Sequence, residues 1–394
     1  MAAKRKAAAT EESTDILPPD MVAVILSKLP VRSILQFRSV SRLWHSIISD
    51  PHFPKIQSLS TSSSRRRFFT SENNSGQFRF LNFTGRSFRA ETLAGNPLSD
   101  DGSGDKISRS DAPIPKILSS CDGLHLLDTT DRKTIILFNP STRVSAKIRW
   151  GGDSPAGWGL CRDAATGDYK VVIITKSRSY FVYSCRRMTW SQGKLFFRRF
   201  KFITDSGVFI GTAFYWIIDG VVVESQKSRR HLVWYDAAGD RWDNLRVPDQ
   251  AQDHSFVAPA MLGDSSPGII CVKLRGHAFA RLWRLEKNGE SKTWKKLVTV
   301  VTRVDRCGVY KHTDCPMRPP VSLSENLVMI FVDCTRYVVY DVVLERMVGG
   351  VRKMPQKWGG KIVACLDRLD FPMNTRSVPW RKCRRNSRIS LKGS

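Results

Sequence analysis

A strand pattern that recurs about every fifty residues places the strongest constraint on how this 394-residue chain folds. Short runs rich in Val, Ile and aromatic residues end in a polar turn, after which Trp or Arg often opens the next run, as in "LFNPSTR" and "WYDAAGDRW". Such runs are typical of strands joined by turns. The aromatic markers of successive copies are separated by 45, 52, 48 and 57 residues, and they are Phe138, Tyr183, Tyr235, Trp283 and Tyr340.

A period near fifty that is built from strands predicts kelch-like propeller blades of about four strands each. One such blade cannot bury both of its faces, whereas blades arranged in a ring cover one another and leave few exposed edges. Five or six units would occupy residues 64 to 375, with an earlier and weaker copy beginning at Phe78. The alternative is an irregular pair of sheets, because the separations between the markers are uneven.

A compact helical segment precedes the strands. Pro18 and Pro19 suit the first turn of a helix, because the φ of proline is fixed near the helical value, and Pro30 would stop that helix. An apolar stripe follows the 3.6-residue helical period between them, and it consists of Val22, Ile25, Leu26 and Leu29. The segment is therefore predicted to open with an amphipathic helix.

A second helix is predicted after Pro30, with Ser33 as its cap and Asp50-Pro51 at its end. One side of it carries Ile34, Phe37, Ser41, Trp44 and Ile48, while Leu35, Val40 and Ile47 widen the apolar surface. About forty residues seldom bury enough apolar area to offset the conformational entropy lost on folding. We therefore predict that the remaining apolar side chains are covered, either by the rest of the chain or by another protein.

The helical segment resembles an F-box of the plant type. The resemblance is carried by Leu17-Pro18, Ile25-Leu26, Leu29-Pro30, Leu35, Phe37-Arg38-Ser39-Val40, Trp44, Ile47-Ile48 and Asp50-Pro51-His52-Phe53. Ser41 and Leu43 depart from the family pattern, and neither adds a charge to the apolar face. The resemblance implies a Skp–cullin–F-box (SCF) ubiquitin ligase, in which a Skp-family adaptor holds the F-box and links it to a cullin.

The same resemblance implies which residues contact the adaptor or organise the helices. Carried over by position, they are Leu17, Pro18, Ile25, Leu26, Leu29, Pro30, Leu35, Val40 and Trp44. Burial of apolar surface drives contacts of this kind, and a few anchor residues dominate their energy. The alternative is that these side chains only pack on the domain that follows.

The strand region, over roughly residues 116 to 345, is similar to the F-box-associated domain of plants. The stretches that carry this similarity are "ILSSCDGLHLLDTTDRKTIILFNPSTR", "WGLCRDAATGDYKVVII" and "SGVFIGTAFYWIIDG", with Asp122 and Phe138 in place of the usual Asn and Trp. The similarity implies a substrate receptor whose β domain docks an unknown target protein, and no target-contacting residue can be carried over. Residues 139–142 predict a tight turn, and Tyr169, Tyr215 and Trp216 are interpreted as blade core.

The predicted fold is mainly β with a small α-helical N-terminal domain, that is, a helical F-box followed by an all-β, propeller-like domain. Its predicted order is a disordered tail over 1–13, the F-box over 14–57, a linker over 58–67, the β domain over 68–375 and a basic disordered tail over 376–394. The linker is expected from the Ser-rich and then basic stretch "SLSTSSSRRR".

The charge balance supports an alternative function. The chain has 63 Lys and Arg against 36 Asp and Glu, a net charge of +27, which attracts polyanions or acidic partners. The stretch "RSVPWRKCRRNSRISLKGS" has seven basic and no acidic side chains, as in nuclear-import signals or solvated tails. The alternative is a basic nucleic-acid- or chromatin-binding protein, or a scaffold that acts outside a ligase, although no RNA-binding or recognition-helix motif accompanies the charge.

The sequence predicts no catalytic, metal or cofactor site. It contains no G-x-x-x-x-G-K-[ST] loop, no G-x-S-x-G elbow and no H-E-x-x-H helix. The nine cysteines form no C-x-x-C pair, so we interpret them as reduced thiols, mostly in the core. Cys307, His312 and Cys315 lack the paired short spacings and the fourth ligand of a zinc site.

The sequence also bears on location. No apolar run approaches the roughly 18–20 residues of a membrane helix, so we expect no membrane association. The N-terminal stretch "MAAKRKAAATEESTD" has no apolar core after its basic residues, and its glutamates argue against a transit peptide. We therefore expect the protein in the cytoplasm, the nucleus or both.

Overall fold

Two compact units divide the chain, one with the first four helices and residues 368–370, the other with the strands. The computed structural model describes residues 17–60, 67–71, 78–84, 88–93, 116–129, 133–195, 199–204, 207–221, 229–254, 256–263, 266–273, 279–288, 291–301, 319–332, 336–354 and 361–372. The predicted tails over 1–13 and 376–394 lie outside these ranges. None of the described helices combines the length and apolar character that a bilayer crossing requires.

The helical unit contains α1 (Pro19–Ser27), α2 (Val31–Phe37), α3 (Arg42–Ser49) and α4 (Phe53–Ser60). The prediction of one helix from Ser33 to Ile48 is wrong, because the chain leaves the helical conformation before α3. Ser41 has an extended backbone, and its side chain accepts a hydrogen bond from the Trp44 backbone N at 3.1 Å, which makes it the N-cap of α3. Pro30, rather than Ser33, occupies the N-cap position of α2.

The predicted boundaries of the helical unit also change. The predicted linker over 58–67 starts within a helix, because α4 continues to Ser60, whose hydroxyl lies 2.8 Å from that of Ser27 on α1. Residues 61–66 of that linker lie outside the described ranges. Residues 368–370, which we assigned to the β domain, belong to the helical unit. The reason is local packing, since Leu369 lies against the helical core and its backbone N donates to Gln57 Oε1 at 3.4 Å.

The strands form six antiparallel sheets, which we number as blades one to six. Blade one contains β26 (Ile362–Cys365), β1 (Arg67–Ser71), β2 (Phe78–Phe83) and β3 (Phe88–Thr92). Blade two contains β4 (Ile117–Cys121), β5 (Leu124–Asp128), β6 (Thr134–Asn139) and β7 (Val144–Arg149). Blade three contains β8 (Pro155–Arg162), β9 (Tyr169–Thr175), β10 (Ser179–Ser184) and β11 (Thr189–Lys194).

The second half of the ring repeats this arrangement with small additions. Blade four contains β12 (Arg199–Phe202), β13 (Val208–Ile210), β14 (Ala213–Val221), β15 (Arg229–Asp236) and β16 (Arg241–Arg246), and α5 (Asp249–Gln252) follows it. Blade five contains β17 (Phe256–Leu262), β18 (Ser266–Lys273), β19 (Phe279–Asn288) and β20 (Ser291–Val301). Blade six contains β21 (Val321–Ser322), β22 (Leu327–Phe331), β23 (Arg336–Asp341), β24 (Arg346–Met347) and β25 (Arg352–Lys353).

The first strands of neighbouring blades contact one another around a closed circuit, β4 to β8, β8 to β13, β13 to β17, β17 to β21, β21 to β26 and β26 to β4. The ring is closed by chain ends that are far apart in sequence, because β26 pairs antiparallel with β1, with Cys365 opposite Arg67. This pairing covers the edge of β1 and gives the first blade four strands, as in blade two. The predicted propeller is confirmed, and it has six blades.

Apolar side chains fill the space between adjacent blades. Successive residues of a strand point to opposite faces, so one blade contributes to two interfaces. On β14, Tyr215 packs between blades four and five, and its neighbour Trp216 packs between blades three and four. Tyr169 lies between blades two and three. The interpretation of these three aromatic residues as blade core is confirmed.

The sequence repeat corresponds to one structural position. Phe138, Tyr183, Tyr235, Trp283 and Tyr340 are all buried, and each lies on the third strand of its blade. Phe78, the start of the weaker copy, opens β2, the third strand of blade one. That copy is less regular in sequence because its blade takes its first strand from the far end of the chain.

The turn after the third strand is also repeated. In blade two, Asn139 Oδ1 accepts from the backbone N of Ser141 at 2.9 Å and of Thr142 at 3.3 Å, which confirms the predicted tight turn. In blade six, Asp341 Oδ1 accepts in the same way from Val343 and Leu344, at 2.9 and 2.8 Å. Short polar side chains therefore fix the hairpins at the same end of both blades.

Candidate docking residues of the helical unit

The first helix carries two sets of apolar residues, and the helical unit buries only one of them. Val22 and Leu26 are four residues apart, share a helix face and are buried in the core. Met21 and Ile25 are also four residues apart and are 52% and 47% exposed, and Leu17, which precedes the helix, is 52% exposed. The second set is the apolar surplus that the sequence predicts.

Further apolar side chains are exposed near the other helices. Val40 lies in the turn between α2 and α3 and is 59% exposed. Leu43, on the first turn of α3, and Val24, on α1, are exposed as well. Together these residues form what we call the exposed apolar set, which is Leu17, Met21, Val24, Ile25, Val40 and Leu43.

A small core holds these helices together. Its buried members are Val22, Leu26, Ile34, Ile48 and Phe53. Leu29, Phe37 and Trp44 are partly buried against that core, and the rings of Phe37 and Trp44 meet edge to face with centroids 5.2 Å apart. A core of this size leaves the unit little apolar area with which to cover its remaining apolar side chains.

The residues predicted from the F-box resemblance divide by burial. Leu17, Pro18, Ile25, Pro30 and Val40 are exposed, with Pro18 and Pro30 at the N-caps of α1 and α2. Leu29, Leu35 and Trp44 are partly buried, and Leu26 is a core residue.

Sequence reasoning missed three members of the exposed apolar set, namely Met21, Val24 and Leu43. The four-residue spacing from Leu17 through Met21 to Ile25 was the available signal for the first of them. No comparable spacing singled out the other two.

The exposed charges of the helical unit are mostly positive. Lys28, Arg32, Arg42 and Lys55 are exposed, whereas the acidic residues described on these helices are Asp20 and Asp50. Charged residues at the rim of an interface mainly set the association rate and the choice of partner. The exposed charges of the helical unit are therefore better suited to an acidic partner surface than to a basic one.

The described cysteines of the propeller are poorly suited to act as nucleophiles. The five described ones, Cys121, Cys161, Cys185, Cys271 and Cys365, are free and buried, as predicted for reduced thiols. Burial raises the pKa of Cys271 and of Cys365 to about 12. Because the thiolate is the reactive form, neither residue is a nucleophile near neutral pH.

Two buried histidines are neutral for a similar reason. Burial and, to a smaller extent, the charge of Lys361 lower the pKa of His125 from 6.5 to about 3. Burial, followed by the charges of nearby cations, lowers the pKa of His254 to about 4. Within the described ranges, no group of three or more His, Cys, Asp or Glu side chains is placed to hold a metal ion. Cys307, His312 and Cys315 lie outside those ranges.

Comparison with known proteins agrees with this division of the chain. The F-box domain family matches residues 15–56. An F-box/kelch-repeat protein of Arabidopsis thaliana is 23% identical over 300 residues, which cover 72% of this chain and 79% of the relative. A putative F-box protein of the same plant is 25% identical over 309 residues, covering 74% of this chain and 73% of the relative.

Another putative F-box protein of Arabidopsis thaliana is 48% identical over 54 residues, which are 14% of this chain and 13% of the relative. Among solved structures, TolB from Acinetobacter baumannii covers 82% of this chain and 73% of its own, with 10% identity and a TM-score of 0.46. A likeness this weak carries no information on function. The predicted resemblance is confirmed by the family match and the plant relatives: the chain carries an F-box domain over residues 15–56, and a six-bladed β-propeller follows it.

Proposed function

We propose that the chain is the substrate-recognition subunit of an SCF-type ubiquitin ligase. Its F-box would dock a Skp-family adaptor and, through it, a cullin, while the propeller would bind a target protein for ubiquitination. An F-box and a propeller together support a substrate-adaptor role in general. The observation that carries the proposal is the exposed apolar set, which the helical unit displays and does not bury.

The energetics favour a partner for these side chains. Burial of apolar surface contributes roughly 25 cal/mol per Å², and contiguous exposed apolar surface in a folded protein is usually a contact site. Apolar helices laid in a groove are a recurring mode of protein recognition. A Skp-family adaptor is the partner that the F-box implies.

In this proposal the chain contributes no catalytic group. The buried thiols of Cys271 and Cys365 and the buried imidazole of His125 support that view, because a thiol with a pKa of about 12 is protonated near neutral pH and an imidazole with a pKa of about 3 is a weak base. The receptor would act by holding its target near the ubiquitin-transferring machinery, which raises the effective concentration of the target's lysines. We place this activity in the cytoplasm, the nucleus or both.

The test is adaptor binding by a double variant, Ile25→Asp with Val40→Asp. Both side chains are exposed, so the charges remain in water and the helices stay folded. Leu29 and Trp44 are less suitable positions, because both pack against the helical core and their loss would unfold it. We expect the double variant to lose co-purification with a Skp-type adaptor.

The matched control places the same substitutions on the propeller, at Met188→Asp with Val351→Asp, where the side chains are 52% and 59% exposed. This control should recover the adaptor as well as the unaltered chain does. Circular dichroism of both variants reports whether the fold is kept. Undiminished adaptor binding by a folded Ile25→Asp, Val40→Asp variant would contradict the proposal.

A further inference from the structure

Charge is distributed unevenly along the third strands of the propeller. In every blade a basic residue lies within two positions of the start of the third strand, and these are Arg79, Lys133, Arg178, Arg229, Arg281 and Arg336. At the other end of that strand, five blades have a short polar or acidic residue, namely Asn139, Ser184, Asp236, Asn288 and Asp341. Equivalent strands of a propeller run in the same direction, so the basic positions share one face of the ring, which we call the basic face.

A compact group of cations lies on the basic face where blade four meets blade five. Arg230 is at the start of β15, Lys273 at the end of β18 and Arg281 near the start of β19. Two of them lie over the ring of Phe279, with the Arg281 Cζ 4.2 Å and the Lys273 Nζ 6.0 Å from its centroid. We call Arg230, Lys273 and Arg281 the cation cluster.

His254 connects the third cation to the other two. The Arg230 Nη1 donates to the His254 backbone O at 2.5 Å, and the imidazole of His254 meets the Phe279 ring with centroids 5.4 Å apart. Arg281, Arg230 and Lys273 all help to lower the pKa of His254, so their fields converge at this point. The imidazole is consequently neutral near pH 7 and adds no charge of its own.

The backbone beneath the cluster is firmly held. Gln252 of α5 is buried, and its Oε1 accepts from the Arg230 backbone N at 2.8 Å. Its Nε2 donates to the Val247 O at 2.7 Å. These bonds fix the start of β15, so the Arg230 side chain extends from an ordered base. Preorganised cations bind an anion with a smaller entropic cost than flexible ones do.

The members of the cation cluster have no acidic partner among the residues that the structure describes. Asp253 precedes His254 but is exposed and forms no ion pair with them. Two cations elsewhere on these blades do have acidic partners, since Lys292 contacts Asp243 and the Lys295 Nζ lies 2.9 Å from Glu345. Like charges held together repel one another, and an arriving anion relieves that repulsion.

The surroundings of Phe279 distinguish between two kinds of anionic partner. Single-stranded nucleic acids bind by stacking bases on free aromatic faces inside a basic groove. Here the phenyl ring beside the cation cluster, that of Phe279, already lies under two cations and contacts the imidazole of His254. The site offers positive charge and hydrogen-bond donors without a platform for bases, which favours carboxylates over nucleotides.

We propose that the basic face binds a segment of the target protein that is rich in Asp and Glu, and that Arg230, Lys273 and Arg281 anchor this segment. The inference rests on the proposed function, because it names the chemistry of the target that the propeller would receive. It also gives part of the net charge of +27 a role in choosing that target.

The test uses the full chain and a fluorescein-labelled peptide of alternating glutamate and glycine, titrated by fluorescence anisotropy at low and physiological salt. The variant Arg230→Glu, Lys273→Glu, Arg281→Glu should weaken binding by about tenfold to a hundredfold, because each ionic contact contributes modestly and the three act together. The matched control is Arg186→Glu, Arg187→Glu, Arg241→Glu, which makes the same change in charge at exposed positions beside the turns at the other end of the third strands. This control should bind within about twofold of the unaltered chain.

Two further measurements keep the result interpretable. Because Arg230 bonds to the backbone, the variant Lys273→Glu, Arg281→Glu leaves that bond intact and should still weaken binding severalfold. Adaptor co-purification should be unchanged in all of these variants, so a failure of peptide binding is distinguishable from a failure of the F-box proposal. Equal weakening by the control, or tighter binding of oligouridylate than of the peptide with loss in the same cluster variant, would overturn the inference.

Discussion

The helical unit and the propeller use apolar side chains in opposite ways. In the propeller, large apolar residues fill the interfaces between blades, and the described exceptions are Met188, Val343, Leu344, Met347 and Val351. In the helical unit, the exposed apolar set is as large as the buried core. The propeller can bury its apolar residues because a closed ring gives each sheet two covered faces, whereas four short helices have too little surface to cover one another.

The difference in burial between the two units separates residues that stabilise the fold from residues available for binding. A buried apolar residue on either unit should act on folding, and an exposed one on the helical unit should act on binding.

The largest effect is expected at the interface between blades three and four. Trp216 is fully buried, its Nε1 donates to the Trp158 O at 3.1 Å, and its ring centroid is 4.4 Å from that of Phe214. Trp216→Ala should destabilise the propeller by about 3–5 kcal/mol, through lost packing and a cavity. Chemical denaturation followed by far-ultraviolet circular dichroism measures this loss.

Trp294 provides the matched control for that substitution. It is only partly buried, although its Nε1 also donates to a backbone carbonyl, that of Arg246, at 2.8 Å. Trp294→Ala therefore removes a similar side chain and a similar hydrogen bond with far less burial, and its cost should be clearly smaller. Equal costs would show that the blade interfaces do not dominate the stability of the ring.

Adjacent positions on α1 give the next largest effect. Leu26 is completely buried in the helical core, and its neighbour Ile25 is 47% exposed. Leu26→Ala should cost about 2–5 kcal/mol, while Ile25→Ala should change stability by no more than about 0.5 kcal/mol. Hydrogen exchange of the amides in α1 to α4 reports the stability of this unit separately from that of the propeller.

The same pair of variants should show the reverse order in adaptor binding when each is folded. Ile25→Ala removes an exposed apolar side chain and is expected to weaken the complex without loosening the helices. Slow exchange in Leu26→Ala together with rapid exchange in Ile25→Ala would contradict the assignment of the two faces.

A buried polar residue of the propeller, His125, should make the stability of the fold depend on pH. His125 is fully buried and stacks on Phe69 with centroids 4.6 Å apart, and among the residues that the structure describes neither of its ring nitrogens has a hydrogen-bond partner. Its pKa is lowered from 6.5 to about 3, first by burial and then by Lys361. The unfolded chain therefore takes up a proton below pH 6.5 that the folded chain does not accept until about pH 3.

The sign of the pH dependence follows from that difference. Stability should be insensitive to this group above pH 6.5 and should fall as the pH drops from 6.5 towards 3, by at most about 1.4 kcal/mol per pH unit. In His125→Phe this contribution is removed, so the slope of stability against pH should be shallower over that window. Unfolding by urea at several pH values measures both slopes, and identical slopes would mean that His125 is not held neutral.

The sequence predicted those parts of the fold in which the same structural requirement recurs along the chain or is met by neighbouring residues. The aromatic markers recur because each of blades two to six needs a large aromatic residue on its third strand, at the interface with the preceding blade. The turn at Asn139 was equally predictable, because a short polar side chain that bonds the next amides is a local device.

Contacts between residues distant in sequence, the break between two helices and the rotation of a helix were not predictable from the sequence. The pairing of β26 with β1 joins residues almost three hundred positions apart, and no local pattern encodes it. The break between α2 and α3 depends on Ser41, which also fits the apolar periodicity of one continuous helix. Burial of Leu26 beside exposure of Ile25 depends on how the helices are rotated, because both positions fall within a broad apolar stripe.

The smallest effect is expected in the exposed turn of blade six. Val343 and Leu344 are 64% and 58% exposed, and both backbone amides are held by the carboxylate of Asp341. Val343→Ser with Leu344→Ser should change stability by no more than about 0.5 kcal/mol, because the amide bonds remain and little burial is lost. Asp341→Ala should cost more, roughly 1–2 kcal/mol, because it leaves two amides without their acceptor.

Thermal unfolding of the two variants decides whether polar turns or exposed apolar residues stabilise the rim of the propeller. If the double serine variant is the less stable of the two, then Val343 and Leu344 contribute packing that their exposure does not reveal. Val40→Ser on the helical unit completes the comparison, since Val40 is similarly exposed and lies in a turn. Val40→Ser should likewise leave stability nearly unchanged. Unlike the serine substitutions on the propeller, however, it should weaken adaptor binding, because in the proposed complex the adaptor covers the exposed apolar residues of the helical unit and not those of the propeller.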